Sequence, residues 1–440
     1  MDTIVVKFGG SSLANAEQIR KAAAIILENP ARRFVVASAP GKAPGADVKV
    51  TDLLYACYDA AVEGGDVEAA LAEVQGRFQA ILDGLGVSFP LESEIDALRA
   101  HLRSGPQRDY MASRGEHLNS KILAAFLGFP FVEAADCVCF RADGSFDDEE
   151  TNRRLAAALS GLDRAVVPGF YGALPDGTIH TFSRGGSDVT GAIVARAVQA
   201  DLYENWTDVS GMLMTDPRIV DHPLPIDYIS YRELRELAYM GATVMHEDAV
   251  FPVRQAGIPI QIRNTNRPQD PGTRILPSLP SDTGGKVVTG IAGSRGFSSI
   301  LVEKAMMNAE IGFASKILQI LADFNISIEH MPSGIDTLSV VVSTAQLAPR
   351  REEVLAAIRE AVHPDHLSVE DNLAIITVVG HGMVRTSGTA ARVFTALALA
   401  PVNIRMIDQG SSELNIILGV AEEDYEQAVR CIYAAFPNGR

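Results

Sequence analysis

The chain has 440 residues, 47% hydrophobic and 21% charged, with 38 Lys and Arg against 55 Asp and Glu for a net charge of −17. That length exceeds what one core usually holds, so two or three domains are expected, and the composition excludes a disordered chain. The negative field excludes nucleic acid and anionic membranes as general partners, so an anionic ligand must be held by a few local cations and backbone amides.

The N-terminal MDTIVVKFGGSS lacks the basic region and long apolar stretch of a signal peptide, and no run of about 18 apolar residues could span a bilayer. Four cysteines make no disulfide framework. Cys137 and Cys139 lack the spacing of a metal or redox pair and read as strand residues, so a reducing cytoplasm is the expected compartment.

Residues 3–8 are a β-branched apolar run ending in Gly9-Gly10-Ser11-Ser12. A helical pattern follows, with Ile19, Ala23, Ile26 and Leu27 on one face, stopped by Pro30. Further strands are expected at Phe34–Ser38, Phe131–Ala134, Ala165–Val167 and Leu202–Trp206, with helices such as Ser113–Leu127 and Asp188–Ala200 between them. This alternation predicts an α/β domain with a mostly parallel sheet. A stretch rich in Pro, Asp, Gly and Thr, from Asn266 to Gly285, marks its end.

Beyond that boundary the chain repeats itself. Gly312-Phe-Ala-Ser-Lys-Ile-Leu-Gln-Ile-Leu-Ala lies on Gly388-Thr-Ala-Ala-Arg-Val-Phe-Thr-Ala-Leu-Ala without a gap, and the same offset relates Ile328 to Ile404 and Gly334 to Gly410. Each copy reads as strand (Ser299–Val302; Leu373–Val378), helix, two strands around a Gly turn, and a second helix (Arg351–Val362; Tyr425–Phe436). Two ferredoxin-like modules are expected.

Four stretches could carry chemistry. Lys7-Phe-Gly9-Gly10-Ser11-Ser12 has a strand-end lysine, two glycines that let backbone approach a phosphate, and amides expected at a helix start; alone it is also an ordinary turn. Thr181-Phe-Ser-Arg184-Gly-Gly186-Ser187-Asp188 repeats the Gly-Gly theme, with Ser187 as a helix cap and a cation and an acid for a zwitterion. Thr207-Asp208 through Asp216-Pro-Arg218 suits adenine, ribose or a magnesium-facing acid. In Arg114-Gly-Glu116-His117 the carboxylate could take an ammonium group, while His117 reads as a structural polar residue. No Walker A sequence, His cluster or Ser/His/Asp order is present.

KFGGSS, RGEHLNS, FSRGGSD, WTDVSG…TDPR and the paired C-terminal modules together resemble the aspartate kinases of the amino acid kinase superfamily, along essentially the whole chain. The resemblance implies an amino acid kinase fold at 1–285 followed by two ferredoxin-like βαββαβ ACT domains. The first, 299–368, would be inserted into the second, 286–298 plus 369–440, which takes a strand from Lys286–Ala292. It also implies ATP-dependent phosphorylation of the aspartate β-carboxylate, with Mg²⁺, as the first step toward lysine, threonine and methionine.

By the same resemblance Lys7 and Asp188 are catalytic. Lys7, Gly9, Gly10, Ser11, Thr207, Asp208, Arg218, Thr243 and Val244 hold ATP. Ser38, Thr51, Glu116, Arg184, Gly186 and Asp188 hold aspartate. The insert Gly41–Val50 and the run Glu329–Asp336 are most similar to the monofunctional lysine-sensitive class, which implies effector contacts at Met307, Ile328, Glu329, Ser333, Gly334 and Asp336. Lysine, alone or with threonine, is the implied effector, and a homodimer or dimer of dimers through the ACT domains the implied assembly. Two departures stand out: Thr243 replaces the family's usual Lys in Gly241-Ala-Thr243-Val244-Met-His246, and Leu213 a frequent Tyr. Another carboxylate kinase, or a non-catalytic ACT-containing sensor that kept the fold, are the alternative readings.

Overall fold

The β-branched run after the N-terminus becomes β1 (Ile4–Phe8), in which Val5, Val6, Lys7 and Phe8 are all buried, as a central strand of a covered parallel sheet requires. The computed structural model describes residues 2–183, 185–241, 245, 249–279 and 285–440. Two bodies result. The first comprises Met1–Met212, Pro225–Tyr231 and Thr243–Leu279, the second Leu213–Leu224, Arg232–Ala242 and Pro280–Arg440.

In the first body β1 is joined by β2 (Arg32–Ala37), β3 (Ala165–Pro168), a small hairpin of β4 (Tyr171–Ala173) and β5 (Ile179–Thr181), then β6 (Leu202–Thr207), β7 (Tyr228–Ser230), β8 (Ile260–Asn264) and β9 (Thr273–Leu276). The main sheet runs β3-β2-β1-β6-β8-β9-β7, with every ladder parallel except β8–β9. The chain therefore leaves β1 toward β2 and β3 and returns on the other side at β6. Such a reversal opens a crevice at the carboxyl ends of the strands, where ligands of open α/β sheets bind. The helices Ala16–Glu28, Val50–Glu63, Val67–Leu85, Leu91–Ser104 and Arg108–Leu127 share one core with β1 and β2 around Phe8, Leu54, Phe78 and Ile122.

Two sequence expectations fail here. Phe131 makes only an isolated bridge to Val166, and the chain then turns into the one-turn helix Ala134–Cys137, because the Glu133 carboxylate accepts the Ala135 N–H. Cys137 is therefore helical, while Cys139 bridges Ala173. The helix expected from Asp188 begins at Gly186 and is capped by the left-handed backbone of Gly185 (φ 57°), not by Ser187.

The second body is one antiparallel sheet of β10 (Gly290–Glu303), β11 (Ile328–His330), β12 (Thr337–Ser343), β13 (His366–Val379), β14 (Ile404–Asp408) and β15 (Asn415–Ala421), ordered β11-β12-β10-β13-β15-β14. The strand expected at Lys286–Ala292 starts at Gly290 and continues to Glu303, so it merges with the one expected at Ser299. Its register shifts around Gly296 (φ 89°), and β13 carries Asn372 at φ 56°. These irregularities bend both central strands, and the sheet divides into two halves. The halves follow the sequence repeat: Gly312 and Gly388, at φ 82° and 84°, open helices Phe313–Asp323 and Thr389–Leu399 of equal length. Each half keeps its own core, one around Ile300, Ile317, Val340 and Ile358, the other around Ile376, Val393, Leu418 and Ile432. The sheet also curls, since His330 and Asp408, on its two outermost strands, approach to 3.3 Å.

Candidate active site

Lys7 is the penultimate residue of β1, and burial leaves the residue only 7% exposed. Its Nζ lies 2.5 Å from Asp188 Oδ1 and 3.5 Å from Asn205 Oδ1, and Asn205 Nδ2 donates to the same Asp188 oxygen at 2.8 Å. The three residues come from β1, the Gly186–Ala197 helix and β6, so the parallel register of Lys7 beside Asn205 builds the cluster. A buried cation needs such partners.

Immediately after Phe8, Gly9 donates its N–H to Trp206 O at 3.0 Å, and Gly10–Leu13 forms a short 3₁₀ turn. The α-helix begins only at Ala16, where Asn15 caps Gln18 N–H at 2.9 Å. The expected helix dipole behind the glycine turn is therefore replaced by the amides of the turn itself. Those of Gly10 and Ser11 donate to no group among the described residues. Gly41 N–H donates to Gly10 O at 2.9 Å, and a Cβ on Gly41 would meet Gly10 C at 2.7 Å. Two glycine turns thus pack backbone against backbone, and the N–H groups of Gly10 and Ser11 are left to take an acceptor from outside the described residues.

Glu116 sits mid-way along the Arg108–Leu127 helix, 6% exposed, with Oε2 lacking any hydrogen-bond partner. Burial pushes its carboxyl up to about 8, opposed by the Ala39 N–H, its own backbone N–H, Lys7 and Arg114. Gly115 next to it admits Ala39, whose Cβ a side chain there would meet at 2.7 Å. Ser38 O at the end of β2 accepts from Asn119 Nδ2 at 2.7 Å, and Asn119 Oδ1 and Ser120 Oγ are also buried without partners. Orphaned polar atoms of this kind mark a place awaiting a ligand or water.

His117 Nδ1 faces Glu133 Oε2 at 2.9 Å and the Tyr171 hydroxyl at 3.1 Å, and its Nε2 faces Glu94 at 3.8 Å. Burial resists ionisation of Glu133, yet hydrogen bonds from His117, Tyr171 and the Ala135 N–H hold its carboxyl at about 2. His117 nearby and the Lys121 ammonium, which donates to Glu94 at 2.6 Å, do the same for Glu94 against its burial. His117 thus clamps the helix that carries Glu116.

Of the residues read from the sequence, Lys7, Gly9, Gly10, Ser11, Ser38, Glu116, Gly186 and Asp188 gather at the carboxyl ends of β1 and β2 and on the helices beside them. Thr51 lies in the first turn of the Val50–Glu63 helix. Thr207 ends β6, its hydroxyl 3.2 Å from Asp208 Oδ1. Arg218 belongs to the second body and is exposed, its guanidinium paired with Asp216 at 2.7 Å. Arg184, Thr243 and Val244 lie outside the described residues. Asn205, inside the expected strand Leu202–Trp206, and Arg114, at the head of Arg114-Gly-Glu116-His117, carry no role in the sequence reading; the first binds Lys7 and Asp188, and the second is buried against Tyr110 and Tyr171. A polar side chain pointing inward at the end of an apolar strand was the available signal for Asn205.

The turn residues of the second body make a different arrangement. Asp336 Oδ1 accepts the Met306 N–H at 2.8 Å, Met307 is buried beneath, and Ser333 bridges Leu338. Ile328 opens β11 opposite Val342, and Glu329 Oε2 receives the Tyr239 hydroxyl at 2.5 Å. Gly334 is needed for space, since a Cβ there would meet Thr337 Oγ1 at 2.6 Å.

A profile of the amino acid kinase family matches residues 2–264, and an ACT domain profile residues 376–436. Aspartokinase 3 of Bacillus subtilis (strain 168) is 41% identical over 98% of both chains. The crystal structure of Clostridium acetobutylicum aspartate kinase superimposes with a TM-score of 0.93 at 46% identity, covering 99% of this chain and 100% of that one. Escherichia coli aspartokinase III is 25% identical over 99% of both chains. It gives TM-scores of 0.76 for its complex with aspartate and ADP (R-state) and 0.73 for that with lysine and aspartate (T-state).

Proposed function

The chain belongs to the amino acid kinase family and within it to the aspartokinases, which phosphorylate aspartate under ACT-domain regulation, and we propose how its own residues divide that work. The observation that carries the proposal is the buried Lys7–Asp188–Asn205 cluster beside the undonated amides of Gly10 and Ser11. An aspartokinase relative binds aspartate and ADP, so ATP is the phosphoryl donor, its phosphates seated on the glycine turn. Mg²⁺ would arrive with the nucleotide, which suits a site offering one carboxylate, Asp188, beside substrate phosphates. Thr207, Asp208, Thr243 and Val244 would take the remainder of the nucleotide.

Aspartate would lie on Ser38, Thr51, Glu116, Arg184 and Gly186. Its β-carboxylate is ionised at neutral pH, so attack needs no general base. One carboxylate oxygen bonds to the γ-phosphorus as the bond to the β,γ-bridging oxygen breaks and ADP leaves. Lys7 and the turn amides stabilise charge on the phosphoryl oxygens, so catalysis is alignment and electrostatics. Asp188, together with Asn205, holds Lys7 aimed. Glu116 gives the substrate ammonium a carboxylate that becomes ionised once that ammonium sits beside it.

Lysine would act at the Glu329–Asp336 turn, supported by the relative that binds lysine and aspartate. Pairing of second bodies into a dimer or dimer of dimers would cover the exposed edge strands β11 and β14. Nothing favours the sensor reading, since Lys7, Glu116 and Asp188 are all present and brought together. ADP release with Mg-ATP and aspartate, against glutamate, tests the reaction; adding lysine, threonine and methionine separately identifies the effector. Turnover with glutamate but not aspartate, or none with either, would overturn the assignment of residues.

A further inference from the structure

The six-stranded sheet has a second face, turned away from its helices, that the kinase chemistry does not use and that the Glu329–Asp336 run reaches with His330 and Pro332. Along β10 and β12, Ile300, Val302, Val340 and Val342 point into the core under the helices, so Ser299, Ser339 and Val341 point the other way. Because the sheet curls, that face closes over a cavity of about 220 Å³. Leu373, Ile375 and Val341 make its apolar floor, and Ile407 from β14 forms a wall. At its mouth Arg405 Nη1 stands 3.3 Å from Glu370 Oε1, both side chains about half exposed.

A further observation comes from β11. His330 pairs with Val341 across the ladder, so its ring lies on the same face of the sheet. It is nine-tenths buried. Its Nδ1 faces Asp408 at 3.3 Å, but Nε2 is sealed from solvent without a hydrogen-bond partner. A buried ring nitrogen in that state calls for an explanation.

We propose that this cavity binds one free α-amino acid with an uncharged, mainly apolar side chain. Its α-carboxylate sits on Arg405, its α-ammonium on Glu370, and its side chain on the Leu373–Ile375 floor. Two opposite charges side by side match a group that carries both on one carbon. The volume falls below the roughly 300–1,000 Å³ of sites for drug-sized ligands, which leaves out nucleotides. The apolar floor disfavours a charged side-chain end such as that of lysine. The site is therefore distinct in chemistry from the Glu329–Asp336 turn, with its two acids, and the proposal does not depend on the kinase assignment.

Calorimetric titration of the full chain with L-leucine and L-methionine tests it, with isovalerate and isoamylamine as probes that each keep one of the two charges. Saturable binding of at least one amino acid is expected, with the single-charge probes about tenfold weaker or more. Arg405→Gln and Glu370→Gln, both at half-exposed positions, should each weaken it by a similar factor. Ser339→Phe should abolish it by filling the cavity, and Glu329→Ala should leave it intact. Three results would overturn the proposal: no saturable heat from either amino acid, binding that survives both charge variants, or binding lost in Glu329→Ala with the charge variants unaffected. Circular dichroism of each variant separates loss of binding from loss of fold.

Discussion

The glycine-lined crevice of the first body and the acidic turn of the second differ in how their charges are kept. In the crevice Lys7 and Glu116 are 7% and 6% exposed, and their surroundings fix them before any ligand arrives. At the turn Ser333 and Asp336 are exposed and Glu329 is half-buried, and each acid already accepts a hydrogen bond from the chain itself, one from the Tyr239 hydroxyl and one from the Met306 N–H. Buried charge is costly and survives only where geometry repays it, so the crevice is preorganised for one chemistry. The exposed turn gains strength only when a ligand or second chain excludes water from it. The first site should therefore respond steeply to single substitutions and the second shallowly.

The largest effect is expected at Lys7. Lys7→Ala removes the cation at the place where charge develops on the phosphoryl group, which costs about 3–4 kcal/mol and lowers kcat about 10²–10³-fold. The side chain contributes little to the apolar core, so circular dichroism and thermal unfolding should show a folded protein. A folded variant within about threefold of the parent kcat would break the contrast, because the buried cation would then be structural.

Next comes Glu116, whose carboxyl burial raises to about 8. Below that pH the empty site holds it protonated, and a substrate ammonium must displace the proton. Aspartate KM should accordingly fall as pH rises from 6 to 8, by about tenfold per unit at the acid end, and level off above. Glu116→Gln should flatten that profile and raise KM at pH 8 by about ten- to a hundredfold, the worth of a lost charge-assisted contact. The same shift has a sign for stability. An acid raised in the folded state favours folding less and less as pH climbs from its ordinary value through about 8, so Glu116→Gln should unfold at higher temperature than the parent above pH 8. A parent KM independent of pH over this window would remove Glu116 from the ammonium.

Gly41→Ala probes the crevice through the backbone. The new methyl would fall 2.7–2.9 Å from Gly10 C, Gly10 O and Ser11 N, none of which can rotate away. The two turns must part, at a cost of about 1–3 kcal/mol, and the amides of Gly10 and Ser11 lose their aim. KM for ATP should rise more than KM for aspartate. Equal rises would mean that the amides face no phosphate.

The contrast also explains what could be read from the residues alone. The parallel sheet, the repeat and the Gly-Gly turns were legible because periodicity and turn chemistry are local. Gly312 and Gly388 even share their left-handed φ. The pairing of Lys7 with Asp188 and Asn205 was not, since residues almost 200 positions apart meet only through the parallel register of β1 with β6. Phe131–Ala134 misled because its apolar composition suits a strand, while the Glu133 carboxylate captures the Ala135 N–H and turns the chain into a helix. The merging of two expected strands into β10 was hidden by Gly296, which reads as a break in a sequence but acts as a bend in a continuous ladder.

The smallest effect belongs to the acidic turn. If lysine places an ammonium on Glu329, it must compete with the Tyr239 hydroxyl, which now donates to Oε2 at 2.5 Å. An exposed ion pair is worth only about 0.2–1 kcal/mol, so Glu329→Ala should raise the lysine inhibition constant about two- to fivefold without abolishing inhibition. Tyr239→Phe should act in the opposite direction, because it frees the carboxylate for the ligand, and lysine should inhibit at lower concentration. Inhibition curves for the two variants, each normalised to its own rate without lysine, separate these outcomes. A hundredfold loss in Glu329→Ala would mean that lysine buries this carboxylate on binding, as the crevice buries its own. A shift in the same direction for both variants would mean that the Tyr239–Glu329 hydrogen bond is itself part of the inhibited state, to be kept and not broken when lysine arrives.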